Sequence, residues 1–252
     1  MGAATAMILA AGRGERMRPL SDSTPKPLLE AGGKPLVVHQ IEALARAGHH
    51  EIAINASHLA SRLVDALGDG GAFGVRLHWS IEAEPLETAG GIATAFPLFA
   101  DRPIVIVSGD IWSAYDYTRL APRIAAIAAR ADATRVHLVM VPNPPYHPQG
   151  DFRLIGGVGA GPGRLALADD APPQPPLVAP MLTYGNIGVY DAALFAGLPR
   201  NARLRLLPLY REWIGAGAVS GECYTGPWAN VGTPDDLARL QQAFARTGTG
   251  AG

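Results

Sequence analysis

The sequence predicts an α/β fold with a doubly wound, mostly parallel β-sheet. Short, β-branched apolar runs alternate with amphipathic helical patterns through the first half of the chain. A glycine-rich segment follows the first of these runs directly, and 48% of the 252 residues are hydrophobic, enough for a sizeable core. Strand–helix–strand alternation forms right-handed crossover units, so we expect helices on both faces of the sheet.

Four apolar runs of the first half are predicted to be buried strands, because they are short and rich in β-branched residues. They lie at residues 6–9, 52–54, 75–81 and 104–107. The first predicted helix has Pro35 at its first position and stops at Gly48. Three further helical patterns follow, at residues 59–67, 88–99 and 116–130.

The second half of the chain is less regular. Two strands and one helix are predicted there, at residues 136–141, 184–190 and 204–214. The proline run at 171–176 predicts an extended surface loop, because proline can continue neither a helix nor a central strand. Thr233 is a typical helix cap, with proline and two acids after it. Residues 247–252 are small and glycine-rich and predict a frayed tail.

Composition excludes several classes of protein. The 21 Lys and Arg residues are balanced by 22 Asp and Glu, whereas a nucleic-acid-binding protein needs a basic surface. The single cysteine, Cys223, cannot form an internal disulfide or a cysteine zinc site, and we expect a small, at least half-buried residue in a reducing compartment. No secretory signal and no run of about 20 apolar residues is present, so we expect a cytoplasmic protein without membrane contact.

The glycine-rich segment is the strongest functional signal. Gly12 and Gly14 allow backbone N–H groups to approach a polyphosphate, at the sheet edge where α/β folds bind ligands. The cations in and after the segment favour an anion with several charges, such as a nucleoside triphosphate, and they are Arg13, Arg16, Arg18 and Lys26.

Three other kinds of segment are also rich in glycine. A dinucleotide fingerprint needs a small residue where Met17 stands and an acid after the second strand, and both are missing. A Walker loop needs Gly-Lys-Ser/Thr, which the chain lacks. An ordinary strand-to-helix turn with surface arginines stays open on the segment alone.

Several ordered motifs together give a family resemblance. Residues 9–20 read Leu-Ala-Ala-Gly-Arg-Gly-Glu-Arg-Met-Arg-Pro-Leu, and Thr-Pro-Lys-Pro-Leu follows at 24–28. With further motifs at 84–91, 108–110, 150–153, 185–187 and 231–234, the chain closely resembles the sugar-1-phosphate nucleotidyltransferases. The resemblance implies a Rossmann-like, glycosyltransferase-A-like nucleotidyltransferase core with a small sugar-binding subregion. It also implies one domain over 1–246, with a nucleotide-binding half at 1–142 and a sugar-binding half at 143–246.

The implied reaction is attack of a sugar 1-phosphate on the α-phosphorus of UTP, with Mg²⁺ as cofactor and pyrophosphate as leaving group. The motifs Glu-Pro-Leu-Glu-Thr and Gly-Asp-Phe-Arg most resemble the branch that acts on N-acetylmuramate α-1-phosphate in peptidoglycan recycling. Guanylyl transfer to mannose 1-phosphate, or thymidylyl or uridylyl transfer to glucose 1-phosphate, stays open, although mannose enzymes more often carry glycine where Glu87 stands. A catalytically silent nucleotide-sugar-binding regulatory protein is the alternative of another class. UTP and the sugar 1-phosphate are the implied partners of a monomer or small homo-oligomer.

The resemblance also assigns roles to residues of this chain. Four consecutive residues would cradle the nucleotide: Ala11, Gly12, Arg13 and Gly14. Three charged side chains would carry catalysis: Arg16 at the leaving pyrophosphate, Lys26 between the α-phosphate and the sugar phosphate, and Asp110 as a ligand of Mg²⁺. Asp110 follows a predicted buried strand, which favours the ligand role over that of a turn aspartate.

The remaining assignments concern the metal, the base and the sugar. Asn230 occupies a position where the family usually has a second aspartate, so we expect weaker metal binding in the absence of triphosphate. The other implied substrate-binding residues are Pro85, Glu87, Gly90, Ser108, Asp151 and Asn186. A first-turn acid for Glu87 and local backbone bonding for Asp151 and Asn186 stay open.

Overall fold

The computed structural model describes residues 4–99, 102–156, 162–169 and 179–247. Its strands are β1 (Ala6–Leu9), β2 (Glu30–Ala31), β3 (Lys34–Pro35), β4 (Glu51–Ala56), β5 (Arg76–Ile81), β6 (Pro103–Ser108), β7 (Ile111–Ser113), β8 (Val136–Val141), β9 (Phe152–Ile155), β10 (Gly163–Ala166), β11 (Met181–Asp191), β12 (Val219–Cys223) and β13 (Trp228–Asn230). Its α-helices are α1 (Leu36–Arg46), α2 (Ala60–Leu67), α3 (Glu87–Ala95), α4 (Ala121–Ala128), α5 (Leu207–Gly215) and α6 (Pro234–Thr247).

Nine of these strands form one mixed sheet in the order β5-β4-β1-β6-β11-β8-β12-β10-β9. Strands β5, β4, β1 and β6 pair in parallel, as do β8 and β12. Strand β11 runs antiparallel to both of its neighbours, β6 and β8. The predicted α/β fold with a parallel-dominated sheet is therefore confirmed.

Both faces of the sheet are covered, as alternation along the strands requires. In β1, Met7 belongs to the core under α3 and α5, whereas Ile8 belongs to the core under α1, α2 and α4. A third, smaller core packs α6 against the β2–β3 hairpin and includes Leu237 and Leu240. The first strand is thus buried from both sides, which fixes the segment that follows it.

Several predicted element bounds were wrong, each for a local reason. Helix α1 begins one residue after Pro35, which has an extended backbone (ψ 145°) and pairs with Glu30 in the small hairpin. The predicted helix at 116–130 is a 3-10 turn at Tyr117–Leu120 followed by α4, and Asp116 caps the turn by accepting from Thr118 N. The predicted helix at 88–99 ends as α3 at Ala95, before a 3-10 turn containing a proline.

The ends of the later helices also differ from the prediction. Helix α5 begins at Leu207 and not at Leu204, because the backbone of Leu204 bonds to residues at the start of α3. The cap at Thr233 is confirmed, since its Oγ1 accepts from Asp236 N at 3.2 Å. Helix α6 continues through Thr247; the rest of the predicted tail and the proline loop at 171–176 lie outside the described residues. Within the described ranges, no helix is both long and apolar enough to span a bilayer.

Candidate active site

A cleft with a volume of about 860 Å³ opens at the edge of the sheet where the parallel strands β1, β4 and β6 end. Ligands of open α/β sheets bind at this edge, because the loops that follow parallel strands converge there. Most of its lining comes from the glycine-rich segment and from the loop between β5 and α3. The residues from these two segments are Ala11, Gly12, Arg13, Gly14, Glu15, Arg16, Glu82, Glu84, Pro85, Leu86, Glu87 and Thr88.

The glycine-rich segment folds back on itself at Gly14. Gly14 has a φ of +63°, and a Cβ there would lie 3.2 Å from the Cβ of Lys26. Ser21 Oγ donates to the Gly14 carbonyl at 2.8 Å and holds the turn. Glycine is favoured at this position, because a side chain would strain the left-handed backbone and crowd Lys26.

Lys26 and Asp110 meet inside the cleft. Lys26 Nζ donates to Asp110 Oδ2 at 2.6 Å, and only 11% of the lysine side chain is exposed. Lys26 begins a 3-10 turn, and Asp110 follows the end of β6, so the pair joins segments 84 residues apart. A partly buried cation beside a carboxylate is suited to a site that binds phosphate and a divalent cation together.

Arg16 and Asn230 border the same region from the side of α6. A Cβ at Gly232 would lie 3.4 Å from both Arg16 Nη2 and Asp236 Oδ2, so the guanidinium sits at the start of α6. Antiparallel pairing of β7 with β13 places Asn230 opposite Ile111, and Val231 N donates to the Asp110 carbonyl at 3.0 Å. The two predicted metal ligands are therefore brought into neighbouring positions.

The side chain of Asn230 also lines a second, more apolar cavity of about 770 Å³, with Trp112, Tyr146 and Trp228 among its walls. Burial raises the pKa of the Tyr146 phenol, and a hydrogen bond with Asn230 opposes this shift. Asn230 is not among the residues that line the first cleft, so its role as a metal ligand beside Asp110 stays a prediction.

Asp110 and Asn230 together offer oxygen donors to a divalent metal ion. Asp110 offers carboxylate oxygens and Asn230 an amide oxygen, and both are hard donors that suit Mg²⁺. No group of three His, Cys, Asp or Glu side chains that could hold a metal ion occurs among the described residues. These residues fit a metal ion that takes part of its coordination from phosphate oxygens, and they do not form a complete protein cage.

Glu87 lies at the mouth of the cleft in an unusual backbone conformation. Its φ is +62°, in the left-handed region that ordinary residues seldom adopt. Its Oε1 lies 3.4 Å from Nη2 of Arg203, which lines the adjoining wall of the cleft. Leu204 fixes this wall, because its N–H donates to the Leu86 carbonyl at 3.0 Å.

We expect Glu87→Gly to be more stable than Glu87→Ala by about 1 kcal/mol, because both lose the ion pair but only alanine keeps the left-handed strain. For a chain of this size the difference corresponds to a melting temperature about 2–4 °C higher for the glycine variant. Thermal denaturation of both variants followed by circular dichroism tests this. An alanine variant that melts at or above the glycine variant would show that the backbone at Glu87 is not strained.

The structure brings most of the predicted site residues to the cleft. Those that line it are Ala11, Gly12, Arg13, Gly14, Arg16, Lys26, Pro85, Glu87, Ser108 and Asp110. Gly90 is not among the lining residues; its N–H donates to the Leu204 carbonyl at 3.1 Å. The proposed binding and catalytic roles of all of these residues stay predictions.

Asp151 and Asn186 are not among the residues that line the cleft. Asp151 Oδ2 accepts from Tyr184 N at 2.8 Å, and its Oδ1 lies 3.1 Å from His147 Nε2. Asn186 has a φ of +59° and occupies the irregularity where β11 changes register against β8. Local bonding therefore accounts for the position of Asp151, and the sugar-binding roles of both residues stay predictions.

Three residues that line the cleft lie outside the motifs on which the sequence prediction rested: Asn55, Glu82 and Arg203. Asn55 and Glu82 are only 4% exposed, and each stands at the end of a strand of the first half. A polar residue at the carboxyl end of a buried strand is the signal that points to them. Arg203 has no such signal, because it reaches the cleft from a loop more than 100 residues further along the chain.

Comparisons with known proteins identify the family to which the chain belongs. The nucleotidyl transferase family model matches residues 5–147, which is more than half of the chain and includes the glycine-rich segment, Lys26 and Asp110. The chain therefore belongs to the nucleotidyl transferase family, and the resemblance inferred from its motifs is confirmed. Members of this family generally use a divalent metal ion.

Two relatives and one solved structure show which members of the family the chain is similar to. The chain is 41% identical over 245 residues to N-acetylmuramate alpha-1-phosphate uridylyltransferase of Neisseria meningitidis serogroup B, covering 96% of this chain and 98% of that enzyme. It is 28% identical to mannose-1-phosphate guanylyltransferase of Mycobacterium tuberculosis, over 93% of this chain and 62% of that enzyme. A candidate glucose-1-phosphate thymidylyltransferase from Bacillus anthracis, crystallised with a sucrose, has the same fold, with a TM-score of 0.77 at 18% identity and coverage of 95% and 94% of the two chains.

Proposed function

We propose that this protein transfers UMP from UTP to N-acetylmuramate α-1-phosphate, with Mg²⁺ as cofactor, and releases pyrophosphate. The observation that carries the chemistry is the contact of Lys26 with Asp110 beside the glycine-rich segment. The choice of UTP and of the muramyl sugar is supported by the 41% identity to a uridylyltransferase of that name over nearly the full length of both chains. We further propose that the enzyme acts in the cytoplasm and takes part in peptidoglycan recycling. We propose that it is a monomer or a small homo-oligomer.

The reaction needs no protein nucleophile, because the attacking sugar phosphate is already ionised. The barrier arises mainly from repulsion between two phosphate groups and from charge that builds on the leaving pyrophosphate. Positioning and electrostatic stabilisation are therefore sufficient. Lys26 would hold the α-phosphate and the attacking phosphate together, while Arg13 and Arg16 would balance the charge of the triphosphate from the glycine-rich segment.

Mg²⁺ would be held by Asp110 and by the amide oxygen of Asn230, together with oxygens of the triphosphate. When bound, the ion supplies Lewis-acid polarisation of the phosphoryl group and draws the charged oxygens into one geometry. Asp110 then acts in two contacts, because the same carboxylate orients Lys26 at 2.6 Å.

The proposal is tested by measuring pyrophosphate release for four nucleoside triphosphates against several sugar 1-phosphates, with and without Mg²⁺. We expect release only with UTP and N-acetylmuramate α-1-phosphate, and only in the presence of the metal. Release restricted to GTP with mannose 1-phosphate would reject the proposed substrates and favour guanylyl transfer. Nucleotide-sugar binding without release for any pair would indicate a regulatory protein.

Asn230→Asp is expected to lower the Mg²⁺ concentration for half-maximal activity several-fold, because a second carboxylate strengthens a hard-cation site. Activity at saturating Mg²⁺ should change little. The measurement is initial rate against Mg²⁺ concentration at a fixed, saturating UTP concentration. Asn201→Asp is a suitable control, since Asn201 is exposed and lines neither cavity. An unchanged Mg²⁺ titration would remove Asn230 from the metal site.

A further inference from the structure

Two buried polar side chains connect the two loops that border the nucleotide cleft. Asn55 Oδ1 accepts from Ala10 N at 2.9 Å, and Asn55 Nδ2 donates to Glu82 Oε1 at 2.7 Å. Glu82 Oε2 in turn accepts from Leu86 N at 3.0 Å. This Asn55–Glu82 bridge therefore runs from the backbone before the glycine-rich segment to the backbone before Glu87.

The chemistry of the bridge permits only one arrangement of donors and acceptors. Ala10 N and Leu86 N are both donors, so the Asn55 oxygen must face Ala10 and its amide nitrogen must face Glu82. Both oxygens of Glu82 accept a hydrogen bond, and this arrangement favours the ionised carboxylate, which accepts only. Burial raises the pKa of Glu82, and the hydrogen bonds from Asn55 and Leu86 act in the opposite direction.

Among the described residues, a negative charge on Glu82 is stabilised by the hydrogen bonds from Asn55 and Leu86 N. Charged groups line the same cleft from each element around it: Arg13, Glu15 and Arg16 from the glycine-rich segment, Glu84 and Glu87 near α3, and Lys26, Asp110 and Arg203 from the other walls. Within the described part of the chain, the polar contacts of the Glu82 carboxylate are with Asn55 and Leu86 N.

We propose that Asn55 and Glu82 are positioning residues that fix the distance between the two loops. The bound nucleotide is thereby placed correctly relative to Lys26 and Asp110. The inference rests on the proposed nucleotidyl transfer for its readout. A buried charged hydrogen bond that joins two loops is costly to break, because the carboxylate would lose its partners without gaining water. Displacing a reacting phosphate by a small distance lowers a rate strongly.

Gly91 gives an independent way to disturb the bridge. A Cβ at Gly91 would lie 2.6 Å from Asn55 Nδ2 and 2.8 Å from Glu82 Oε1, closer than a carbon atom can approach. Gly91 lies in α3 and is not among the residues that line the cleft. Gly91→Ala therefore displaces the bridge without replacing any side chain that lines the cleft.

The first test compares kcat and KM for three variants: Asn55→Ala, Glu82→Gln and Gly91→Ala. Glutamine at 82 keeps one acceptor oxygen and loses the other, so one of its two bonds must break. We expect kcat/KM for the nucleoside triphosphate to fall about 10- to 100-fold in each. Ser220→Ala is the control, because it removes a buried hydrogen bond between Ser220 in β12 and His137 in β8, outside the cleft. It should lower the melting temperature without changing kcat/KM.

The second test uses pH to separate positioning from simple loss of stability. In Asn55→Asp two carboxylates face each other, and the bond to position 82 can form only when they share one proton. We therefore expect the activity of Asn55→Asp relative to wild type to rise at least 10-fold as the pH falls from 8 to 6. A purely structural defect gives no such recovery at lower pH.

The outcomes distinguish this inference from the proposed function. If the wild-type protein releases pyrophosphate but Asn55→Ala, Glu82→Gln and Gly91→Ala stay within twofold of it, the bridge has no positioning role. A relative pH profile of Asn55→Asp parallel to that of wild type would contradict it equally. If the wild type itself releases no pyrophosphate with any substrate pair, the proposed function fails. The bridge is then tested by amide hydrogen exchange at Ala10 and Leu86, which must accelerate in Asn55→Ala if the inference holds.

Discussion

Replacing Lys26 by alanine is expected to lower kcat/KM about 10³-fold, the largest effect of any single substitution in this chain. Lys26 is the least exposed of the cations that line the cleft, and no other side chain among the described residues makes an ion pair with Asp110. A charge that stabilises a transition state in a partly dehydrated site contributes about 3–4 kcal/mol. The effect should appear in kcat as well as in kcat/KM, because the phosphates repel most strongly as they approach each other.

The chain offers one matched control for this experiment. Its only other lysine, Lys34, also makes an ion pair, with Glu42 at 2.8 Å, but it lies outside the cleft. Steady-state rates of pyrophosphate release should therefore be unchanged in Lys34→Ala. A similar loss in both variants would show that charge or stability, and not the position of Lys26, controls the rate.

Asp110→Asn is expected to reduce kcat/KM about 10²- to 10³-fold and to raise the metal concentration needed for activity. Asparagine keeps the shape of the side chain, yet it removes the negative charge that a divalent cation and Lys26 both need. Rates measured across a Mg²⁺ titration separate the two effects, since a metal ligand changes the midpoint of the titration and not only the plateau.

Asp65→Asn in α2 is a suitable comparison, because it makes the same change outside the cleft. The double variant Lys26→Ala, Asp110→Asn extends the test. Residues in direct contact are not additive, so the double variant should lose much less than the product of the two single losses. Fully multiplicative losses would indicate that the two side chains act independently, contrary to the 2.6 Å contact.

The fold of the first half was predictable because local sequence patterns specify its strands and helices. Strands such as β1 and β6 are continuous apolar runs, and the helices between them have clear periodicity. The second half carries short strands, among them β10 and β12, whose pairing joins segments that are distant in the sequence. Such strands have weak patterns, because their partners and not their own sequence determine them.

The candidate site shows the same division. The glycine-rich segment and Asp110 could be predicted because each follows a strong strand, and both reach the cleft. The contact of Lys26 with Asp110 and the Asn55–Glu82 bridge could not, since both depend on side chains brought together by the sheet. Glu87 was predicted as a cleft residue, but its left-handed backbone is visible only in the structure.

The position of β11 makes the two halves of the chain unfold together. This strand comes from late in the chain, yet it separates β6 from β8, which come from the earlier part. A fragment that ends near residue 142 would retain β6 and β8 with an unfilled gap between them, and a fragment that begins there would contain β11 without β6 and β8. Calorimetry should therefore record a single heat-absorption peak, and co-expressed halves should be recovered only as a reassembled pair.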